Sequence, residues 1–168
     1  MILFKLVLML FIVMPAYLTG QSTKTKKISV LEAKCKRTPG FELLKELNVK
    51  KCVYWSKLNK SFENADIDCK DKGGFLVTLR TKEEHMLIAL NAKNFAFFVG
   101  CDEREKKGTF VWHDDMSAVQ DNNYLFNPPV FDKDEQTFCC VLIALEEFDY
   151  RILPNVCTLV IPYVCEIK

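Results

Sequence analysis

Eight cysteines in a chain of 168 residues constrain the fold more than any other feature of this sequence: Cys35, Cys52, Cys69, Cys101, Cys139, Cys140, Cys157 and Cys165. Whether they read as bridges, metal ligands or free thiols depends on compartment, and the first 20 residues decide that. Met1 and Lys5 flank the start of an apolar run from Leu6 to Met14, Pro15 ends it, and Gly20 offers a small residue for cleavage. A positive start, a core of about ten apolar residues and a small exit residue make a signal peptide. The run is too short for a membrane span, which needs roughly 20 apolar residues. The expected product is secreted and extracellular, begins near Gln21 and has no membrane span. In that setting an even number of cysteines implies disulfides, but eight cysteines allow on the order of a hundred pairings and spacing alone does not choose among them. Each bridge stabilises by roughly 2–4 kcal/mol, mainly by restricting the unfolded chain.

The mature chain has the usual size of one domain. The whole sequence carries 23 Lys and Arg against 22 Asp and Glu, and losing Lys5 with the leader leaves 22 basic residues. A neutral balance excludes a general nucleic-acid binder, which shows a strong basic excess. Residues 21–34 read as a polar, basic tail with Lys24, Lys26, Lys27 and Lys34, and Lys36 and Arg37 continue it. Few of these are contiguous, so a solvated tail is expected over a polyanion-binding patch.

Further along, Val53-Tyr54-Trp55 is a short β-prone run. Ser61 can cap a helix whose Phe62, Ala65 and Cys69 fall on one face. Gly73-Gly74 ends that helix. Phe75 to Leu79 reads as a strand. Thr81 with Glu84 forms a capping box, and Met86, Leu87 and Leu90 are expected to supply the buried face of a second helix ending near Asn91. Phe95 to Gly100 and Thr109 to Trp112 read as strands. Residues 114–135 form a long loop with Asn127-Pro128-Pro129, and loops of that length in compact domains are usually functional. Cys140 to Leu145 and Leu159 to Cys165 close the chain as strands. Two helices followed by short strands around a long loop make an α+β pattern.

From Cys35 to Glu166 these residues resemble the C-type lectin-like domain family, in its secreted, single-domain, long form. The resemblance rests on the cysteine-ended helix Phe62 to Cys69, on Gly74-Phe75-Leu76-Val77-Thr78-Leu79, on the helix starting at Thr81, on Phe98-Val99-Gly100-Cys101, on Phe110-Val111-Trp112-His113-Asp114 and on Tyr163-Val164-Cys165-Glu166. Cys101 departs from the pattern, which has an aliphatic residue there. The resemblance implies a C-type lectin-like fold over residues 35–168, with two helices, two small antiparallel sheets and a long irregular loop. It implies the bridges Cys69–Cys165, Cys140–Cys157 and Cys35–Cys52. Cys101 and Cys139 are then left over. Neighbours on a strand point to opposite faces, so Cys139 faces away from Cys140. A fourth bridge Cys101–Cys139 is the simplest outcome, and a bridge to another molecule, giving a disulfide-linked dimer, stays open.

Sugar-binding members of the family hold calcium with loop oxygens, and calcium takes 6–8 such ligands. The resemblance sets a Glu-Pro-Asn-like triplet against Asn127-Pro128-Pro129, and an Asn-Asp pair against Leu153-Pro154, neither of which has a side-chain oxygen. The calcium site therefore reads as dismantled, and no cofactor is expected. Asp132, Asp134, Glu135, Glu146, Glu147 and Asp149 stay nearby as a solvated acidic face. The expected binding residues are Trp112, Tyr124, Phe126, Asn127, Glu146, Glu147, Asp149 and Asn155, with Phe131 as a further aromatic.

Catalysis is not expected. His85 reads as a surface or half-buried residue, and His113 beside Asp114 and Asp115 has no nucleophile motif with it. Asn59-Lys60-Ser61 is an N-glycosylation sequence. The expected function is extracellular recognition of a protein or of a cell or microbial surface without calcium. The alternative is a carbohydrate-binding lectin, innate immune in role, with a non-standard or calcium-independent sugar site.

Overall fold

The computed structural model describes residues 28–120 and 137–168. Its first helix, α1 (Val30–Arg37), lies where the sequence suggested tail up to residue 34. The correction has a local cause. Ser29 accepts a hydrogen bond from Glu32 N, and the Glu32 carboxylate accepts one from Ser29 N, each at 3.2 Å, which closes a capping box. Lys34, Lys36 and Arg37 occupy the last turn, where they oppose the partial negative charge of the helix end.

Strands β1 (Glu42–Glu46) and β2 (Val49–Trp55) form a hairpin with Glu46 paired to Val49. The two connecting residues, Leu47 and Asn48, have φ of 53° and 64°, the two positive values that a type I′ turn requires. Helix α2 (Phe62–Asp71) buries Phe62, Ala65 and Cys69, as their spacing predicts. Ser61 is its N-cap by position, but its hydroxyl accepts from the Asn64 side chain and not from the helix backbone. Strand β3 (Phe75–Leu76) is shorter than expected, and Val77 continues it with one hydrogen bond to Val164 O.

In α3 (Lys82–Leu90) Thr81 caps Glu84 N, while the Glu84 carboxylate reaches back to Arg80 N at 2.8 Å. Its buried face differs from expectation. His85, Leu87, Ile88 and Ala89 point inward, Met86 is half-buried and Leu90 is 55% exposed. Positions 85, 88 and 89 repeat at three and four residues, so one stripe of the helix faces the core and a polar ring lies on it.

β4 (Ala96–Asp102), β5 (Val111–Trp112), β6 (Phe138–Ile143), β7 (Ile152–Val156) and β8 (Val164–Ile167) complete the fold. Two four-stranded sheets result, in orders β1-β2-β8-β3 and β5-β4-β6-β7, with antiparallel pairing throughout. β7 has no alternating signal in the sequence. It is an edge strand, where Pro154 is tolerated without an N–H to donate. Gly100 permits the junction of the two sheets: a Cβ there would lie 2.5 Å from Leu76 O.

The β4–β6 pair separates two apolar clusters. Phe97, Val99, Cys101, Cys140 and Leu142 face one, with Trp55, Leu79, Ile88 and Trp112. Phe98, Cys139 and Val141 face the other, with Phe62, Cys69, Tyr163 and Cys165. This alternation corrects the bridges. The structure joins Cys35 to Cys52 and Cys69 to Cys165, but Cys101 pairs with Cys140 and Cys139 with Cys157, in place of Cys101–Cys139 and Cys140–Cys157. Pairing of Asp102 with Cys139 sets Cys101 beside Cys140 on the same face, while Cys139 points toward α2 and Cys157. Opposite orientation of Cys139 and Cys140 was the right premise. Alternation along β6 sets the face of each, and the register shift between Phe98 and Asp102 brings Cys140, in place of Phe138, opposite Cys101. All eight cysteines lie among the described residues and none is free, which leaves no thiol for the bridged dimer.

A buried ion pair locks the first sheet. Lys51 Nζ lies 2.6 Å from Glu166 Oε2, and Glu166 Oε1 accepts from the Thr78 hydroxyl at 2.7 Å and Thr78 N at 3.2 Å. Breaking such a pair from one side typically destabilises by roughly 3–5 kcal/mol, because it strands a buried charge.

Candidate functional site

The β6–β7 ladder runs from Phe138↔Val156 to Leu142↔Ile152 and so has two ends. At the first end the chain enters from residues 121–136. Here Glu103, buried just beyond β4, ties the strands together. Its N–H donates to Phe138 O at 3.1 Å, and its carboxylate accepts from Phe138 N at 3.3 Å and Gly108 N at 2.6 Å. Asp102, also buried, accepts from Arg104 N and pairs with its guanidinium at 3.1 Å. The Cys139–Cys157 bridge closes this end, and Cys157 O accepts from Phe62 N at 3.1 Å, bringing in the start of α2. Asn155 is exposed beside it, opposite Cys139, and its side-chain oxygen accepts from Val156 N.

A polar chain crosses the adjoining face. Lys70 pairs with Asp66 at 2.8 Å, His113 Nδ1 lies 3.2 Å from Asp66, and Arg104 Nη2 faces His113 Nε2 at 3.4 Å. Arg104 also stacks over Phe62. Burial works against the Asp66 carboxylate, but the hydrogen bonds from His113 and Lys70 outweigh it and hold Asp66 below its ordinary value. The sequence set His113 beside Asp114 and Asp115, yet its partner is Asp66 on α2. Asp114 and Asp115 instead pair with Arg80 at 2.6 and 2.9 Å, and Lys168 takes the other oxygen of Asp114. Hydrogen bonds from the Ser117 hydroxyl and N–H, then from Arg80, hold Asp115 well below the usual carboxylate range.

The other end of the ladder carries Glu146, Glu147 and Asp149, all exposed, on a 3₁₀ turn (Glu146–Phe148) and the residues after it. Asp149 and Tyr150 are both left-handed, with φ of 50° and 52°. His85 is the fastening. Far from a surface residue, it is buried, its Nε2 meets the Tyr150 carbonyl, and its Nδ1 has no partner. Burial pushes the imidazole below its ordinary pKa, and the contact with Tyr150 O only partly opposes this.

Those of the expected binding residues that are among the described ones therefore lie apart from one another. The acids sit beyond one end of β7 and Asn155 near the other, about 13 Å away at ~3.3 Å per strand residue. Trp112 is a core residue, roofed by Arg80. Tyr124, Phe126, Asn127, Phe131 and the acids Asp132, Asp134 and Glu135 lie outside the described residues. Sequence reasoning missed Glu103 and Asp66, because a single buried acid leaves no mark on a pattern of apolar spacing.

Among the described residues, the donor set does not suit the calcium ion that the resemblance implies. Leu153 and Pro154 stand in β7 with no side-chain oxygen, and Pro154 is buried opposite Cys140. Asp114 and Asp115 are committed to cations of the chain itself. Among the described residues no group of three or more His, Cys, Asp or Glu could hold a metal ion. Among them also, no helix is long and apolar enough to cross a membrane.

Comparison with known proteins matches this geometry. Collectin-10 from Gallus gallus is 25% identical over 119 residues, 69% of this chain and 41% of that protein. The chain spans less than half the length of the curated relatives it matches. A mouse scavenger receptor C-type lectin carbohydrate-recognition domain superposes with a TM-score of 0.60 at 22% identity, over 77% of this chain and 96% of that one. A calcium-independent type II antifreeze protein superposes with a TM-score of 0.59 at 19% identity, over 77% and 92%. The model of the lectin C-type domain matches residues 58–167, and the chain belongs to that family.

Proposed function

We propose that this is a secreted recognition protein that binds an extracellular protein, or a cell or microbial surface ligand, without the calcium ion of sugar-binding relatives. The family consists in general of binding proteins and not enzymes. Binding is assigned to the end of the fold bounded by Cys139–Cys157, Glu103 and Asn155. A covalent bridge and a buried carboxylate together make that end a rigid base, and rigid scaffolds are where recognition loops are usually carried. The observation that carries the calcium-independent reading is Leu153-Pro154 in β7, apolar side chains in the place of two oxygen ligands. The fold accommodates this, since a neighbouring structure is described as calcium-independent.

The purified mature protein is to be screened against glycans and extracellular proteins, once in chelator and once in millimolar calcium. Ligand retained in chelator is the expected result. Glycan binding that appears only with calcium would replace this reading with that of a calcium-dependent lectin.

A further inference from the structure

Asn59-Lys60-Ser61 is the chain's one Asn-X-Ser/Thr sequence. Three features of its setting bear on modification. Asn59 lies on the exposed connection between β2 and α2, flanked by exposed Lys57 and by Leu58, which is 66% exposed. Its carboxamide has no hydrogen-bond partner among the described residues, whereas the Asn64 and Asn91 side chains are both engaged. Ser61 stands at a helix N-cap, where its hydroxyl would ordinarily be tied to the backbone, yet it makes no such bond and only accepts from Asn64 at 3.0 Å. Neither polar group of the sequon is therefore needed by the fold. The segment is still pinned: Lys60 pairs with Ile161, and Phe62 N bonds Cys157 O. Consecutive Cα atoms are about 3.8 Å apart, so Asn59 lies within about 11 Å of Phe62 and flanks the Cys139–Cys157 end.

We propose that Asn59 carries an N-linked glycan, set beside the end of the fold assigned to recognition. This rests on the secretion reading. The donor class is a lipid-pyrophosphate-linked oligosaccharide of the secretory route. The carboxamide nitrogen bonds to the anomeric carbon of the first sugar, and the anomeric C–O bond to the pyrophosphate breaks. The lipid pyrophosphate leaves with that electron pair, and the amide proton passes to a base of the transferase. A sugar there shields Leu58 and restricts approach from the α2 side.

The test is expression of the full chain in a eukaryotic secretory cell, with peptide mapping before and after peptide N-glycosidase. Expected is a glycan mass on the Asn59 peptide, removed by the enzyme to leave aspartate. Asn59→Gln and Ser61→Ala abolish it, and Ser61→Thr keeps it. Secreted, disulfide-bonded chain with Asn59 unmodified would overturn the proposal while leaving secretion intact. Chain retained in the cell but bearing the sugar would support the site and overturn secretion. Chain that stays in the cytosol, unmodified, would overturn both.

Discussion

The two ends of the β6–β7 ladder are built on different principles. At the Cys139 end the chain is held by a disulfide, by the buried Glu103 carboxylate bonded to two backbone N–H groups, and by a start-of-helix contact at Phe62. At the Glu146 end two consecutive left-handed residues turn the chain, and one neutral histidine holds the Tyr150 carbonyl. The first design rests on a covalent bond and several backbone hydrogen bonds. The second depends on an imidazole staying uncharged. The end proposed for recognition is held by a covalent bridge and a buried carboxyl group; where the fold only returns the chain, one polar contact suffices.

The largest effect is expected from removing the covalent restraint. Cys139→Ser with Cys157→Ser should lower stability by roughly 2–4 kcal/mol, read as a lower denaturant midpoint. Loss of under half a kcal/mol would mean that Glu103 alone holds this end. Glu103→Ala comes next. It removes the carboxylate that accepts from Phe138 N and Gly108 N, which should destabilise by roughly 1–3 kcal/mol, measured the same way. Equal stability would show that other groups replace the carboxylate.

The His85 end should respond to pH. Burial lowers the folded-state pKa of His85 below the unfolded value near 6.5, so the folded state binds fewer protons between the two. The stability it contributes is full above about pH 6.5 and is lost as pH falls through the lowered folded value. Melting temperature in the native protein should therefore drop on acidification below pH 6.5. His85→Leu should flatten that part of the profile and, by orphaning the Tyr150 carbonyl, lower stability at pH 7.5 by about 1 kcal/mol. An unchanged acid slope in His85→Leu would move the effect to another group. The smallest effects are expected from Glu146→Gln and Asn155→Ala, exposed residues whose replacement should stay within about 0.5 kcal/mol. If the Cys139 end is the one that binds, Asn155→Ala weakens ligand binding and Glu146→Gln does not.

These residues also mark how far the sequence could be read. Phe62, Ala65 and Cys69 announced α2, and the order of cysteines, glycines and aromatics announced the family. The Cys139/Cys140 partners were not legible, because a register shift in β4 decides which residue of β6 lies opposite Cys101. His85 was misread because a histidine among acids looks solvated, and only the return of the 145–151 segment buries it. The capping box at Ser29 was present in the sequence but hidden among lysines that suggested a tail. β7 escaped because Pro154 and Asn155 discourage a strand, and its edge position is a property of the sheet. For the candidate site the limit was spatial: Asn155 and Glu146 are close in sequence and lie at opposite ends of a ladder.

The most direct test of the calcium-independent reading is the melting temperature of the mature protein in millimolar calcium and in chelator. A ligand bound only by the folded state raises it by mass action. The donor set described for β7 and for Asp114 and Asp115 predicts coincident transitions. A clear upward shift with calcium would contradict it and place an oxygen-rich ion site in this chain.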